Sequence, residues 1–143
     1  MLELAERIIS GESEPPPIAK LIGFDLRAAE HGRAVIDFEA GPRHWNPMGG
    51  LHGGVLCDIA DAAMGIAYAS ALAEGESFAT VELKMNFLRP FKEGHLVAEG
   101  WLVNGGRTLG FTEAEIRDGS GRLIAKASST CMTLRPQNQE AAS

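Results

Sequence analysis

The run Asn46-Pro47-Met48-Gly49-Gly50-Leu51-His52-Gly53-Gly54 is followed by an apolar stretch from Val55 to Ala73 that contains Asp58 and Asp61. These residue types, at this spacing, are suited to chemistry. A Gly-rich turn feeding a helix leaves backbone N–H groups unpaired at the helix start. The macrodipole also favours negative charge there, so an oxyanion can be held. Among the Val, Leu, Ile, Met, Ala and Gly of the stretch, an Asp without water, a partner or a substrate would be costly to bury. Asp61 is therefore expected to serve a reaction, and the segment reads as an active site.

The elements that position these residues have to come from one domain, since 143 residues suffice for a real core without disulfides or structural metal. The 45% hydrophobic and 22% charged composition is that of an ordinary soluble protein. No apolar run free of charges reaches membrane-spanning length. Met1 to Ser10 carries Glu3, Glu6 and Arg7 and lacks the pattern of a signal peptide, so a cytoplasmic location is expected. Cys57 and Cys131 belong to no paired metal or redox motif and read as small buried hydrophobes. His31, His44, His52 and His95 show no zinc spacing, so no metal is expected. A formal charge of −6 argues against a nucleic-acid surface, which needs a concentrated basic face.

Met1 to Ile9 places its apolar residues near one face of a short helix that Gly11 ends, ahead of a stiff Glu-Pro-Pro-Pro connector through Pro17. Ile18 to Phe24 reads as a further helical turn. Asp25 to Ala40 reads as a hairpin bending at His31-Gly32, and Gly41 to Gly50 as loop. Val55 to Ala73 is Ala-rich and apolar on nearly every face, the mark of a helix enclosed on most sides. Four β-like runs follow, Phe78 to Leu88, Leu96 to Val103, Leu109 to Arg117 and Leu123 to Leu134. Arg89 to Gly94, Asn104 to Arg107 and Asp118-Gly119-Ser120-Gly121 separate them. Short turns imply antiparallel neighbours, and the sum is an α+β domain of about six strands curling around the helix. The arm is residues 1–17, the main domain 18–135 and a flexible polar tail 136–143.

Over roughly Ile18 to Leu134 the chain resembles the hotdog-fold thioesterases, in the phenylacetate-degradation (PaaI-like) and 4-hydroxybenzoyl-CoA type branch. The family pattern of an Asn, a later His-Gly-Gly and an acidic residue beyond it is met by Asn46, His52-Gly53-Gly54 and Asp61. Phe87-Leu88-Arg89-Pro90 and Gly106-Arg107-Thr108 look like its later strand motifs. The resemblance implies an acyl-CoA thioesterase that hydrolyses an aryl or medium-chain acyl-CoA to the free acid and CoA. No cofactor is then needed, because coenzyme A is part of the substrate. It also implies a homodimer with sites shared across the interface, and a homotetramer of two such dimers.

By the same resemblance Asp61 is the catalytic carboxylate, acting as general base on water or as nucleophile through an anhydride. Asp58 lacks the family's spacing from His52 and is expected in a polar contact at the subunit interface. The Gly53 backbone N–H, with that of Gly54, would polarise the thioester carbonyl. Asn46 would hold the attacking water or the carbonyl, and His52 would orient the loop or donate to the carbonyl region. Thr80 matches a position that supplies an auxiliary hydroxyl in some relatives. Arg89 and Arg107 are candidates for the phosphates of CoA, and Met48 for the acyl pocket. Two alternatives stay open: a hotdog hydratase or dehydratase acting on a thioester, and a non-catalytic acyl-CoA binding module.

Overall fold

The protein is described from a computed structural model, and the structure describes residues 1–136. Its elements are α1 (Leu2–Ile9), α2 (Pro17–Ile22), β1 (Phe24–Glu30), β2 (Arg33–Ala40), a 3-10 turn (Pro42–His44), α3 (Gly53–Ala69), β3 (Ser77–Phe87), β4 (Gly94–Gly105), β5 (Leu109–Asp118) and β6 (Leu123–Leu134). The six strands form one antiparallel sheet in the order β1-β2-β4-β5-β6-β3, curled around α3 as the hotdog arrangement requires. Among the described residues no helix is long and apolar enough to cross a membrane. Residues 137–143 of the expected tail lie outside the described residues.

The core forms where the inner face of the sheet meets α3. Ile36, Phe38, Leu96, Ile116 and Ile124 pack with Ile59, Ala60, Ala63 and Met64, each at most 1% exposed. The many alanines of α3 let its backbone come down onto β4. A Cβ at Gly100 would stand 2.5 Å from the Ala63 carbonyl carbon and 2.7 Å from the Met64 nitrogen. Because those neighbours are backbone atoms, they yield only if the whole helix lifts. Gly100→Ala is therefore expected to cost about 3 kcal/mol, the upper end of the usual overpacking range, in urea or thermal unfolding. A loss under about 0.5 kcal/mol, the scale of an ordinary surface substitution, would show that α3 is not held so close.

Two expectations are corrected. The connection from β3 to β4 is short, but the two strands are not neighbours: β3 pairs with β6 at the edge of the sheet, while β4 lies between β2 and β5. Residues 88–93 cross about three strand spacings, roughly 14 Å, which six extended residues can span. Hydrogen bonds from the Leu88 and Arg89 N–H groups to Ile124 O (2.9 and 3.1 Å), and from Leu51 N–H to Phe91 O (2.9 Å), pin the crossing. Second, the helix expected over Val55 to Ala73 begins at Gly53 and ends at Ala69; enclosed on most sides as expected, it presents one open stripe of Gly54, Asp58 and Asp61, spaced at three to four residues.

At the far hairpin, the Asp118 Oδ1 accepts from the Ser120 N–H and hydroxyl and from the Arg122 N–H, and its Oδ2 from Arg122 Nε at 2.8 Å. The Ser120 hydroxyl leads in holding the Asp118 carboxyl well below the usual carboxylate range. The Asp-Gly-Ser-Gly signal in the sequence is thus a side-chain-locked turn.

Candidate active site

The turn before α3 is held by its own residues. Asn46 Oδ1 accepts from the Met48 and Gly50 N–H groups at 2.9 and 3.2 Å, and the Asn46 N–H donates to Gly50 O at 2.7 Å. With its oxygen so occupied, the Asn46 amide keeps only its Nδ2 donors for an acceptor in the adjoining cavity. Trp45 Nε1 donates to Lys92 O at 3.0 Å, and the Lys92 ammonium lies 4.8 Å from the centre of the same indole. The turn and residues 88–93 are thereby bound into one wall.

His52 is the N-cap of α3. Its backbone is extended (φ −64°, ψ 130°) and its Nδ1 accepts from the Gly54 N–H at 2.9 Å. The cap consumes the Gly54 donor. The Gly53 N–H has no hydrogen-bond partner among the described residues and stands at the positive end of the helix. A Cβ on Gly53 would meet the Phe87 ring at 2.9 Å, so glycine is what lets the ring lie beside the free donor. The Gly53 turn, Asn46 and the segment Phe87 to Phe91 line a cavity of about 430 Å³ with Leu51 and Leu56 in its wall.

Asp61 sits eight residues beyond Gly53 on α3. Its Oδ1 accepts from Thr80 Oγ1 of β3 at 3.0 Å, which leaves Oδ2 without a protein donor among the described residues. A register shift between Thr80 and Glu82 marks a bulge at Val81, and bulges commonly re-aim a side chain in this way. Asp58 is one turn earlier on the same stripe. Burial, and then the nearby Asp61 charge, push its carboxyl above its ordinary value. Cys57 is half-buried and free, and burial likewise pushes its thiol up.

One chain therefore gathers Asn46, His52, Gly53 and Arg89 at the N-terminal end of α3, and Asp61 with Thr80 in its middle. Arg107 lies elsewhere. It lines a cleft of about 290 Å³ with His31, Tyr68, Leu72 and Arg135 at the other end of α3. Met48 stands at the loop tip, 90% exposed and clear of the cavity. Leu51, Leu88 and Phe91 line the cavity and were given no site role from the sequence. The signal for Leu88 and Phe91 was present in Phe-Leu-Arg-Pro-Phe, an apolar run placed in a connection where polar residues are usual, whereas Leu51 stood as an apolar residue inside the Gly-rich run.

Comparison with known proteins agrees with this architecture. The sequence profile of the thioesterase superfamily matches residues 48–125. A Saccharolobus solfataricus protein named as an esterase is 33% identical over 122 residues, 85% of this chain and 86% of that one. The 1,4-dihydroxy-2-naphthoyl-CoA hydrolase of Listeria monocytogenes is 27% identical over 107 residues, covering 75% of this chain and 87% of its own. The crystal structure of a phenylacetic acid degradation-related protein from Ralstonia eutropha superposes with a TM-score of 0.80 at 31% identity, over 90% of this chain and 98% of that one. The chain belongs to the thioesterase superfamily, and it is an enzyme of that hydrolytic kind.

Proposed function

We propose that the protein is a cytoplasmic acyl-CoA thioesterase that cleaves aryl or medium-chain acyl-CoA to the free acid and CoA, with each site completed by a second copy of the chain. The observation that carries this reading is the division of the reacting groups along α3. The free Gly53 N–H and the Thr80-held Asp61 carboxylate are separated by eight residues, about 12 Å of helix. That is too far for both to serve one thioester in a single chain.

The edge of the sheet supports a remedy. β3 is an eleven-residue edge strand whose outer N–H and C=O groups have no strand partner among the described residues, and Val81 and Phe87 within it and Leu88 just after it are 57%, 57% and 51% exposed. Antiparallel pairing of two such edges about a two-fold axis continues the sheet and sets the two α3 helices antiparallel, with their Asp58 and Asp61 stripes facing. Asp61 of one subunit then approaches the Gly53 end of the other. Arg89 and Arg107 sit at opposite ends of a helix about 25 Å long. In an antiparallel pair the subunit that lends Asp61 also lends Arg107 toward the phosphates of CoA. Two such dimers make the tetramer.

In that site the Gly53 N–H, with Asn46 Nδ2, polarises the thioester carbonyl. Asp61 Oδ2 either takes a proton from water as it attacks, or attacks the acyl carbon itself, the C–S bond breaking to release CoA thiolate and water then cleaving the anhydride. The apolar cavity of Leu51, Leu56, Phe87 and Phe91 takes the acyl group. The 27%-identical Listeria relative, named as an aryl-CoA hydrolase, supports the substrate class. Release of free thiol from phenylacetyl-, hydroxybenzoyl-, hexanoyl- and palmitoyl-CoA tests it. Turnover is expected on the aryl or medium-chain members. A folded protein that binds acyl-CoA and cleaves none of the panel would be a binding module instead.

A further inference from the structure

The N-terminal arm packs on β1 and roofs a second cavity, of about 280 Å³, beside the C-terminal half of α3. It shares no lining residue with the cavity at Gly53. It also lies at the β1 edge of the sheet, whereas Thr80 and Phe87 belong to β3 at the opposite edge. Its walls reach into the core: Ile36, Ala5, Ala19 and Phe24 are 0%, 2%, 4% and 5% exposed, and Ile66 of α3 closes one side.

Two features keep this space open. Ala5 in the middle of α1 and Ala19 in the middle of α2 give the lining only a methyl group each. The arm is also held off the sheet by a stiff strut. Pro15, Pro16 and Pro17 fix the backbone of the connector, the Ser13 N–H donates to Arg7 O at 2.9 Å, and the Ala19 N–H donates to Pro16 O at 3.0 Å. A vacancy in a core is costly when empty and persists where its walls cannot collapse, so an occupant that fills it is stabilising.

The lining selects that occupant. An apolar cavity stays dry and takes apolar guests; roughly 150 Å³ holds benzene, so this one has room for about ten carbons. Glu14 is the one charged side chain in the lining, 82% exposed at the mouth and ion-paired with Lys20. Lys20 is thereby engaged, and an entering carboxylate or phosphate meets a carboxylate. A hydroxyl finds an acceptor there instead. We propose that the cavity is a binding site for a neutral apolar molecule of about ten carbons bearing one hydroxyl, a bicyclic phenol or a medium-chain alcohol. Its ring or chain lies between α1, Ile36 and Ile66, and its hydroxyl donates to Glu14. The site is independent of the reaction at Gly53, since acids and CoA thioesters carry the wrong charge for it.

2-Naphthol, a ten-carbon ring system with one hydroxyl, tests this by calorimetric titration of the full chain and by NMR. Saturable binding is expected, with nuclear Overhauser contacts from the naphthol ring to the methyl groups of Leu4, Ile8 and Ile66. Ala5→Leu and Ala19→Leu each fill the space and are expected to weaken binding about tenfold or more while the thermal midpoint holds or rises. 2-Naphthoate, the same ring with a carboxylate in place of the hydroxyl, is expected to bind about tenfold or more weakly than naphthol. An absence of saturable binding, an unchanged affinity in a folded leucine variant, or contacts confined to Leu51 and Phe91 would overturn the site. Naphthoate binding as tightly as naphthol would overturn the neutral ligand. Should leucine at 5 and 19 prevent folding, the contacts in the unsubstituted protein decide.

Discussion

Asp61→Asn lowers turnover at least a hundredfold while fold, assembly and CoA affinity stay near those of the unsubstituted protein. The side chain keeps its shape, and Thr80 Oγ1 can donate to the amide oxygen as it does to Asp61 Oδ1 at 3.0 Å. What disappears is the basic or nucleophilic oxygen, and a positioned general base is worth about 10² to 10⁴ in rate. The loss therefore falls on kcat, with KM nearly unchanged, as for an interaction made only in the transition state. Because Asp61 is exposed in the single chain, its neutral replacement strands no buried partner, and the thermal midpoint should hold. Thiol release measured against acyl-CoA concentration checks both parts. Near wild-type turnover would remove Asp61 from the reaction.

Much of this was legible before any coordinates, because the informative residues are constrained locally. A carboxylate in an Ala-rich apolar run and a Gly-Gly helix start are unusual choices whose physical reasons are short-range. The helix start, the acidic stretch of α3 and the strand runs could therefore be placed by pattern, while the choice of Asp61 over Asp58 and the role of Gly53 came only with the family resemblance. The pairing of β3 with β6 was not legible, since a six-residue connection fixes only how far apart two strand ends can lie and not what lies between them. Similarly, the His52 ring could be read as orienting the loop, donating to the carbonyl region, or packing and capping the helix. Only its rotamer shows that it caps α3, accepting from Gly54 and leaving Gly53 as the free N–H of that turn. Arg89 and Arg107 share a charge and a half of the sequence, yet they sit at opposite ends of α3, a separation set by the sheet order.

Mixing Asp61→Asn with Gly53→Pro restores activity that neither variant has alone. Proline deletes the one N–H at issue and little else: Gly53 is the first residue of α3, where proline is favoured, and His52 already has the extended backbone that a residue before proline adopts. A Cβ on residue 53 meets the Phe87 ring at 2.9 Å, so the ring shifts within that same site and adds to its loss. Loss of such an oxyanion donor typically lowers kcat about 10² to 10³-fold, so both homodimers are nearly silent. In a mixed dimer one site combines both defects, while the other draws Gly53 from the Asp61→Asn subunit and Asp61 from the Gly53→Pro subunit and is intact. After random exchange at equal amounts, half the dimers are mixed and each carries one good site of two, so about a quarter of wild-type activity returns. Recovery of that size also proves that both variants fold and assemble. If each site lay within one chain, every subunit would keep its own defect and exchange could restore nothing. Silence after mass spectrometry has confirmed mixed dimers would therefore return Asp61 and Gly53 to a single chain and leave their roughly 12 Å separation unbridged.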